Sequence, residues 1–364
     1  MFYQKIIRPI LFKIYPERIH HIVIAILSVI SSLPIIYSLI RRKLFISEPI
    51  LQTKIGNLFF KNPIGLAAGF DKDITAPLAY PMLGFGYTEL GSVTYSAQAG
   101  NPKPRLWRIP ADSGLIVYYG LCNRGVLAAI KQLKKIKTHL VPYGLSIAPT
   151  TGLKLEEMAD DYLKSFVLLA PLADYITLNV SCPNVANNDL FSQISFIREL
   201  THKVDEFKKA NNLAVDIFLK IGPDMEKEQY EEIVEICVSS GITAIIATNL
   251  IKKRDQIRAN SAVEKLNHPG GISGKLLAQK SNEVIKILYR AARGRLKIIG
   301  VGGVFCAADA YGKIKSGASA IQLITGFIYG GPLTIRQINL ELAKLLQADG
   351  FRNVDEAVGK ENLI

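Results

Sequence analysis

The sequence predicts an α/β fold, a closed (β/α)8 barrel of the TIM type with a small helical segment at its N-terminus. Three observations carry that prediction. Eight short apolar runs rich in Val, Ile and Gly follow Pro49. Charged stretches of helical period lie between several of them, which is the pattern of parallel strands buried on both faces. A chain of 364 residues, 49% of them hydrophobic, can also fill one large core. A doubly wound open sheet is the alternative, but no GxGxxG follows the first strand, and IGVGGV has the wrong glycine spacing and comes seventh.

Residues 1–45 read as a segment apart, and 46–364 as the barrel with its C-terminal tail. Ile19 to Ile40 contains no Asp, Glu, Lys or Arg and is long enough to score as a membrane span. Pro34 interrupts that run, the preceding FYQKIIRPILFKIYPERIHH is amphipathic and basic, and RRK follows. Two short helices lying in a membrane interface therefore fit at least as well as one span. A helical pair packed on the rest of the protein is the other reading. A cleaved signal peptide fits less well, because the charged leader is long and no small-residue cleavage site follows. The net charge of +13 suits an anionic membrane face. Lys and Arg are scattered rather than gathered in a stripe with aromatics, so no nucleic-acid partner is expected.

The strand candidates are, in order, NPIGLAAG, GYTELGSV, YGLSIAP, YITLNVSC, DIFLKIGP, ITAIIATN, LKIIGVGG and SAIQLITG. Helical patterns separate several of them: LAAIKQLKKIKTHL, LFSQISFIRELTHKVDEFKKA, EQYEEIVEICVSS and QKSNEVIKILYRAARG. In a barrel, chemistry gathers where strands end. Gly302 and Gly303 end the seventh run, Thr325 and Gly326 the eighth. There, bare backbone N–H groups and a hydroxyl form a phosphate cradle, suited to a phosphorylated substrate or a flavin mononucleotide; a glycine after a strand is otherwise a tight turn.

Two lysines resist a purely structural reading. Lys72 follows the first strand in AAGFDKD, and Lys220 lies inside the apolar fifth strand, where an unpaired ammonium would be costly. Lys220 suits a charge developing on a cofactor, such as the N1/C2 edge of a reduced flavin. Cys122, Cys182, Cys237 and Cys306 form no CxxC pair, and the histidines show no HxxxH spacing, so no metal site is expected. His20 and His21 lie in the wrong part of the chain for barrel chemistry. Cys182, in LNVSCPN, is open to several readings: buried thiol, metal ligand, half of a disulfide, or catalytic group.

The motifs NPIGLAAGFDKD, GSVT, KPRLWR, LNVSCPN, KIGPD, IIATN, GGISGKLL, IIGVGG and QLITGF, with LFKIYPERIHH before them and DGFRNVDEAVGK after, cover nearly the whole chain. In order and spacing the chain resembles the membrane-associated, quinone-reducing branch of the dihydroorotate dehydrogenases. The resemblance implies an FMN-binding barrel: a proton leaves C5 of dihydroorotate, hydride passes from C6 to the flavin, and a quinone entering between the N-terminal helices reoxidises it. It implies a peripheral membrane protein on the cytoplasmic side of the inner membrane. Ala67, Ala68, Gly69, Thr94, Asn179, Lys220, Thr248, Gly274, Gly302 and Thr325 match flavin positions. Lys72, Asn179, Asn184 and Asn249 match residues that hold substrate, and Cys182 matches the catalytic base.

The chain also departs from that branch. Its base is normally serine, cysteine being the habit of the soluble branch. Val117 replaces a substrate asparagine, Leu250 a hydroxyl residue, and Ser146 a flavin-contacting asparagine. Each lost hydrogen bond to a buried polar substrate costs roughly 1–3 kcal/mol, which leaves two alternatives open: an FMN oxidoreductase of this fold acting on a less polar substrate, and a flavin-binding membrane protein without turnover.

Overall fold

The computed structural model describes residues 2–136, 140–181, 190–253 and 266–362. All eight expected strands form: β1 Ile64–Leu66, β2 Tyr87–Val93, β3 Tyr143–Ile147, β4 Tyr175–Asn179, β5 Asp216–Ile221, β6 Ala244–Ala247, β7 Lys297–Val301 and β8 Ala320–Leu323. Each pairs in parallel with the next in chain order, and β8 pairs with β1, which closes the barrel. All the quoted runs except GYTELGSV, which ends with its strand at Val93, overshoot the carboxyl end of their strands. That overshoot becomes the floor of the site described below.

Side chains along a strand alternate between the two faces of the sheet. In β5, Ile217, Leu219 and Ile221 join the large core between sheet and helices, while Phe218 points into the barrel. It meets Tyr87, Tyr175, Ile246 and Ile299 there. Tyr175 stacks on Phe218 with centroids 4.4 Å apart, and Phe60 on Tyr87 at 4.3 Å. Phe60 belongs to a small hairpin, Thr53–Ile55 with Leu58–Phe60, whose Ile55 and Leu58 also enter this layer and close the amino end of the barrel. Burying each such side chain contributes about 1.5–3 kcal/mol. Two residues further along the strands the interior turns polar, with Glu89, Thr177, Lys220 and Gln322 all buried. The layer above that is open.

The expected helices are present, including Leu190–Ala210, Lys227–Ser239 and Ala278–Ala292. A three-stranded antiparallel sheet of Leu106–Ile109, Gly114–Val117 and Gly271–Gly274 has no counterpart in the sequence reading. Its strands are four residues long, and one holds glycine at both ends, too little for a period-2 pattern to register. It brings the excursion after β2 and the one after β6 together at the carboxyl end of the barrel.

At the N-terminus, helices Pro16–Ser31 and Pro34–Leu44 meet at 105°. Pro34 opens the second helix, where a missing N–H costs nothing. Among the described residues no single helix is long and apolar enough to cross a membrane, although the bent pair passes that test together. Ile24 and Leu44 pack into the core, whereas Ile22, Ile26, Val29, Leu33, Ile35, Ile36 and Leu39 are exposed. Buried Glu17 fastens the first helix to the excursion after β2, its Oε1 accepting from Arg105 Nε at 2.9 Å and Nη2 at 2.7 Å.

Candidate functional site

The open layer is a cavity of about 560 Å³ at the carboxyl ends of the strands, a size suited to a cofactor and a small substrate. Ala67, Ala68, Gly69 and Lys72 follow β1 into its wall. Asn179 and Lys220 enter from β4 and β5, and Thr248 and Asn249 follow β6. Gly274 comes from the small sheet, Gly302 and Gly303 follow β7, and Thr325 and Gly326 follow β8. One cavity thus collects these thirteen expected residues, which are scattered from 67 to 326 in the chain.

Three expectations stand differently. Thr94 is buried but does not line the cavity. Its hydroxyl donates to the Ser96 carbonyl and accepts from Asn123 Nδ2 at 2.9 Å, so it is spent on holding the loop after β2. Cys182 and Asn184 lie outside the described residues.

A chain of hydrogen bonds runs across the floor. Asn179 Nδ2 donates to Ser92 Oγ at 2.9 Å, and Ser92 Oγ pairs with Ser146 Oγ at 2.7 Å. On its other side Asn179 Oδ1 accepts from Ser181 Oγ at 2.7 Å, and Ser181 Oγ accepts from Asn249 Nδ2 at 2.8 Å. Both asparagines are thereby held in one orientation before any ligand arrives, which lowers the cost of binding one. Ser146 acts here through Ser92.

Lys220 is 4% exposed. Parallel pairing sets it beside Asn179 on one side and Ile246 on the other. Its Nζ lies 3.8 Å from Glu89 Oε1, beyond hydrogen-bond reach, and makes no hydrogen bond among the described residues. Glu89 Oε2 is occupied, accepting from Thr177 Oγ1 and Gln322 Nε2, both at 2.9 Å, while Oε1 has no hydrogen bond among the described residues. Burial pushes the Lys220 pKa down, and the charge of Glu89 opposes that. Lys72 sits with Nζ 3.6 Å above the ring of Tyr119, and burial lowers its pKa as well.

Sequence reasoning missed His20. It lines the cavity from the first N-terminal helix and meets Phe70 edge-on at 5.0 Å. Burial, helped by the Lys72 ammonium, pushes its pKa down to about 3, so the ring is neutral at working pH. Nothing in the local sequence marks it, because its place depends on Glu17 docking to Arg105 about 90 residues away. Val117, Leu250 and Leu115 form an apolar part of the wall.

The residues present fit a flavin nucleotide. The N–H groups of Gly302 and Gly303 donate to nothing among the described residues, and both glycines have positive φ, +114° and +73°. A Cβ on Gly303 would stand 2.4 Å from that of Ala278, so the loop can lie against the following helix only as glycine. Thr248 Oγ1 is buried without a hydrogen-bond partner among the described residues, and beside Gly69, at φ +100°, there is open space. Unmet donors, a cation and an anion cradle line one cavity.

The family model described as dihydroorotate dehydrogenase matches residues 50–346. Among curated proteins, the chain is 38% identical to a dihydroorotate dehydrogenase (quinone) of Roseiflexus sp. (strain RS-1), over 97% of both chains. It is likewise 38% identical to one of Nostoc punctiforme, over 99% of this chain and 98% of that one. Among solved structures it is similar to DHODH of Eimeria tenella in complex with ferulenol, with a TM-score of 0.85 and 28% identity over 95% of this chain and 96% of that one.

Proposed function

The chain belongs to the dihydroorotate dehydrogenase family, and on that footing we propose that it oxidises dihydroorotate to orotate with FMN as cofactor and a quinone as electron acceptor. The observation that carries this reading is the cavity itself, where Lys220, Lys72, two fixed asparagines and the glycine cradle converge. FMN, when bound, supplies the two-electron acceptor for the substrate's hydride and passes the electrons on. Gly302, Gly303 and Thr325 would hold its phosphate, with Ala67, Ala68, Gly69, Thr248 and Gly274 along its body.

The remaining work falls to the chain's own side chains. Lys220 holds positive charge in a buried layer, where it is worth far more than in water. Lys72 attracts the substrate carboxylate, while Asn179 and Asn249, preset by Ser92 and Ser181, orient the ring amides. Cys182 follows Ser181 directly and is proposed to take the C5 proton. A thiol of ordinary pKa near ~8.5 serves as base once its site lowers that value.

The exposed apolar faces of the N-terminal helices, and Arg41, Arg42 and Lys43 in the last turn of the second, support a peripheral seat on the cytoplasmic side of the inner membrane. Residues 1–45 would then admit the quinone, passing His20. Deleting residues 1–43 should release a protein that still reduces its flavin but reoxidises it slowly with hydrophobic quinones. Unchanged quinone kinetics would leave the segment as an anchor alone.

The deciding test is anaerobic mixing of the purified full chain with dihydroorotate, followed by a quinone analogue. Loss and return of the flavin's visible absorbance is the expected result; a flavin that dihydroorotate leaves oxidised would overturn the substrate assignment. Val117 and Leu250 favour one second reading, a less polar substrate. It predicts bleaching by such a donor and none by dihydroorotate.

A further inference from the structure

We infer that Lys313, buried outside the cavity, is a positioning residue for the cofactor's phosphate, acting through Ser281 on the peptide unit that joins Val301 to Gly302. Lys313 lies on helix Ala307–Ser316 and is 1% exposed. Its Nζ donates to Ser281 Oγ and to Asn282 Oδ1, each at 2.8 Å. Ser281, on helix Ala278–Ala292, donates in turn to the Val301 carbonyl at 2.6 Å. That carbonyl also accepts from the Thr248 N–H at 3.0 Å.

The carbonyl of Val301 and the N–H of Gly302 are the two ends of one amide. Drawing electron density toward the oxygen leaves the N–H a stronger donor, and hydrogen bonds in series polarise one another. The Gly302 N–H donates to nothing among the described residues. A buried ammonium, one serine and one peptide group thus form a continuous path that ends at an unused donor on the wall of the cavity. Asp309 is the charged group acting on Lys313, and its carboxylate is occupied by the N–H groups of Phe305 and Cys306. Burial pushes the Lys313 pKa down to about 7, so an anion arriving at Gly302 would favour its protonated form. The inference rests on the flavin reading of this site.

The test compares two ligands that differ by the phosphate. FMN and riboflavin are titrated into flavin-stripped full-length wild type and K313M at about pH 6.5, with flavin fluorescence as the readout. K313M should lose roughly tenfold in FMN affinity, the scale of a charge acting on a helix or peptide dipole in a partly buried setting, while riboflavin affinity stays unchanged. Equal loss for both ligands, or no loss for either, would overturn the inference. A wild type that binds neither flavin would remove the flavin reading and the inference with it. Methionine fills the same space without a charge, and replacing a buried ion by an apolar group is often neutral for folding. Should K313M not fold, S281A breaks the same path by removing one oxygen, and a fall in the FMN-to-riboflavin affinity ratio is again the supporting result.

Discussion

Glu89 illustrates how much a single side chain inside the barrel governs. It shares its layer with Lys220, Thr177 and Gln322, and it is the charge that opposes the effect of burial on the lysine. With Glu89→Gln that support is lost and Lys220 gives up its proton at lower pH. The pH at which the bound flavin's reduction potential loses the support of the charged lysine should then move down relative to wild type. A potential equal to wild type at every pH would show that Glu89 only packs. For Cys182 the expected pattern is different. Cys182→Ala should fold, bind FMN and lose about 10² to 10⁴ in the rate of flavin reduction. Cys182→Ser should keep activity with its optimum moved to higher pH. Equal rates in wild type and Cys182→Ala would rule the base assignment out.

Among the elements, helix Pro16–Ser31 is docked near the cavity by the buried pair Glu17 and Arg105, and further along by Ser28 Oγ donating to the Thr75 carbonyl at 2.9 Å. Removing one partner of such a pair costs about 3–5 kcal/mol, because the other charge is left buried. Glu17→Ala should therefore loosen Pro16–Leu44 from the barrel, seen as faster proteolysis in that segment, while FMN remains bound. Proteolysis at the wild-type rate would show that Ile24, Leu44 and their neighbours hold the helix without the pair. The small sheet at the barrel mouth works in the same way. Its pairing of Val117 with Gly271 sets an apolar residue against the cavity, and neither half of that pairing has a sequence signature.

Over the whole molecule, the interior holds several bases whose pKa values burial has lowered: His20, Lys72, Lys220 and Lys313. A base with a lowered folded pKa binds fewer protons when folded than when unfolded, so stability rises with pH between the two values. For His20 that window runs from about 3 to the ordinary 6.5, and for Lys313 from about 7 to the ordinary 10.5. The urea midpoint should accordingly rise from about pH 5 to about pH 9, and Lys313→Met should flatten the upper part of that rise. A midpoint that stays flat or falls over this range would mean that these groups hold their protons in the folded protein at least as tightly as in the unfolded one.

The sequence by itself pointed to parallel strands buried on both faces, because runs such as β5 and β7 are apolar throughout and lie between helical stretches, and the count of eight pointed to a closed barrel. It pointed to much of the candidate site for a related reason: in this fold the residues just past each strand share one end, which put Gly302 and Thr325 in one place before any contact was known, while Ala67 and Asn249 came from the family resemblance. What only the tertiary structure decided depends on groups distant in the chain. His20 reaches the cavity through a docked helix, Thr94 is diverted to Asn123, Lys220 faces Glu89, and Lys313 reaches Val301 through Ser281. Periodicity reports which face of an element is buried, and carries no information about which distant polar atom waits on the other side.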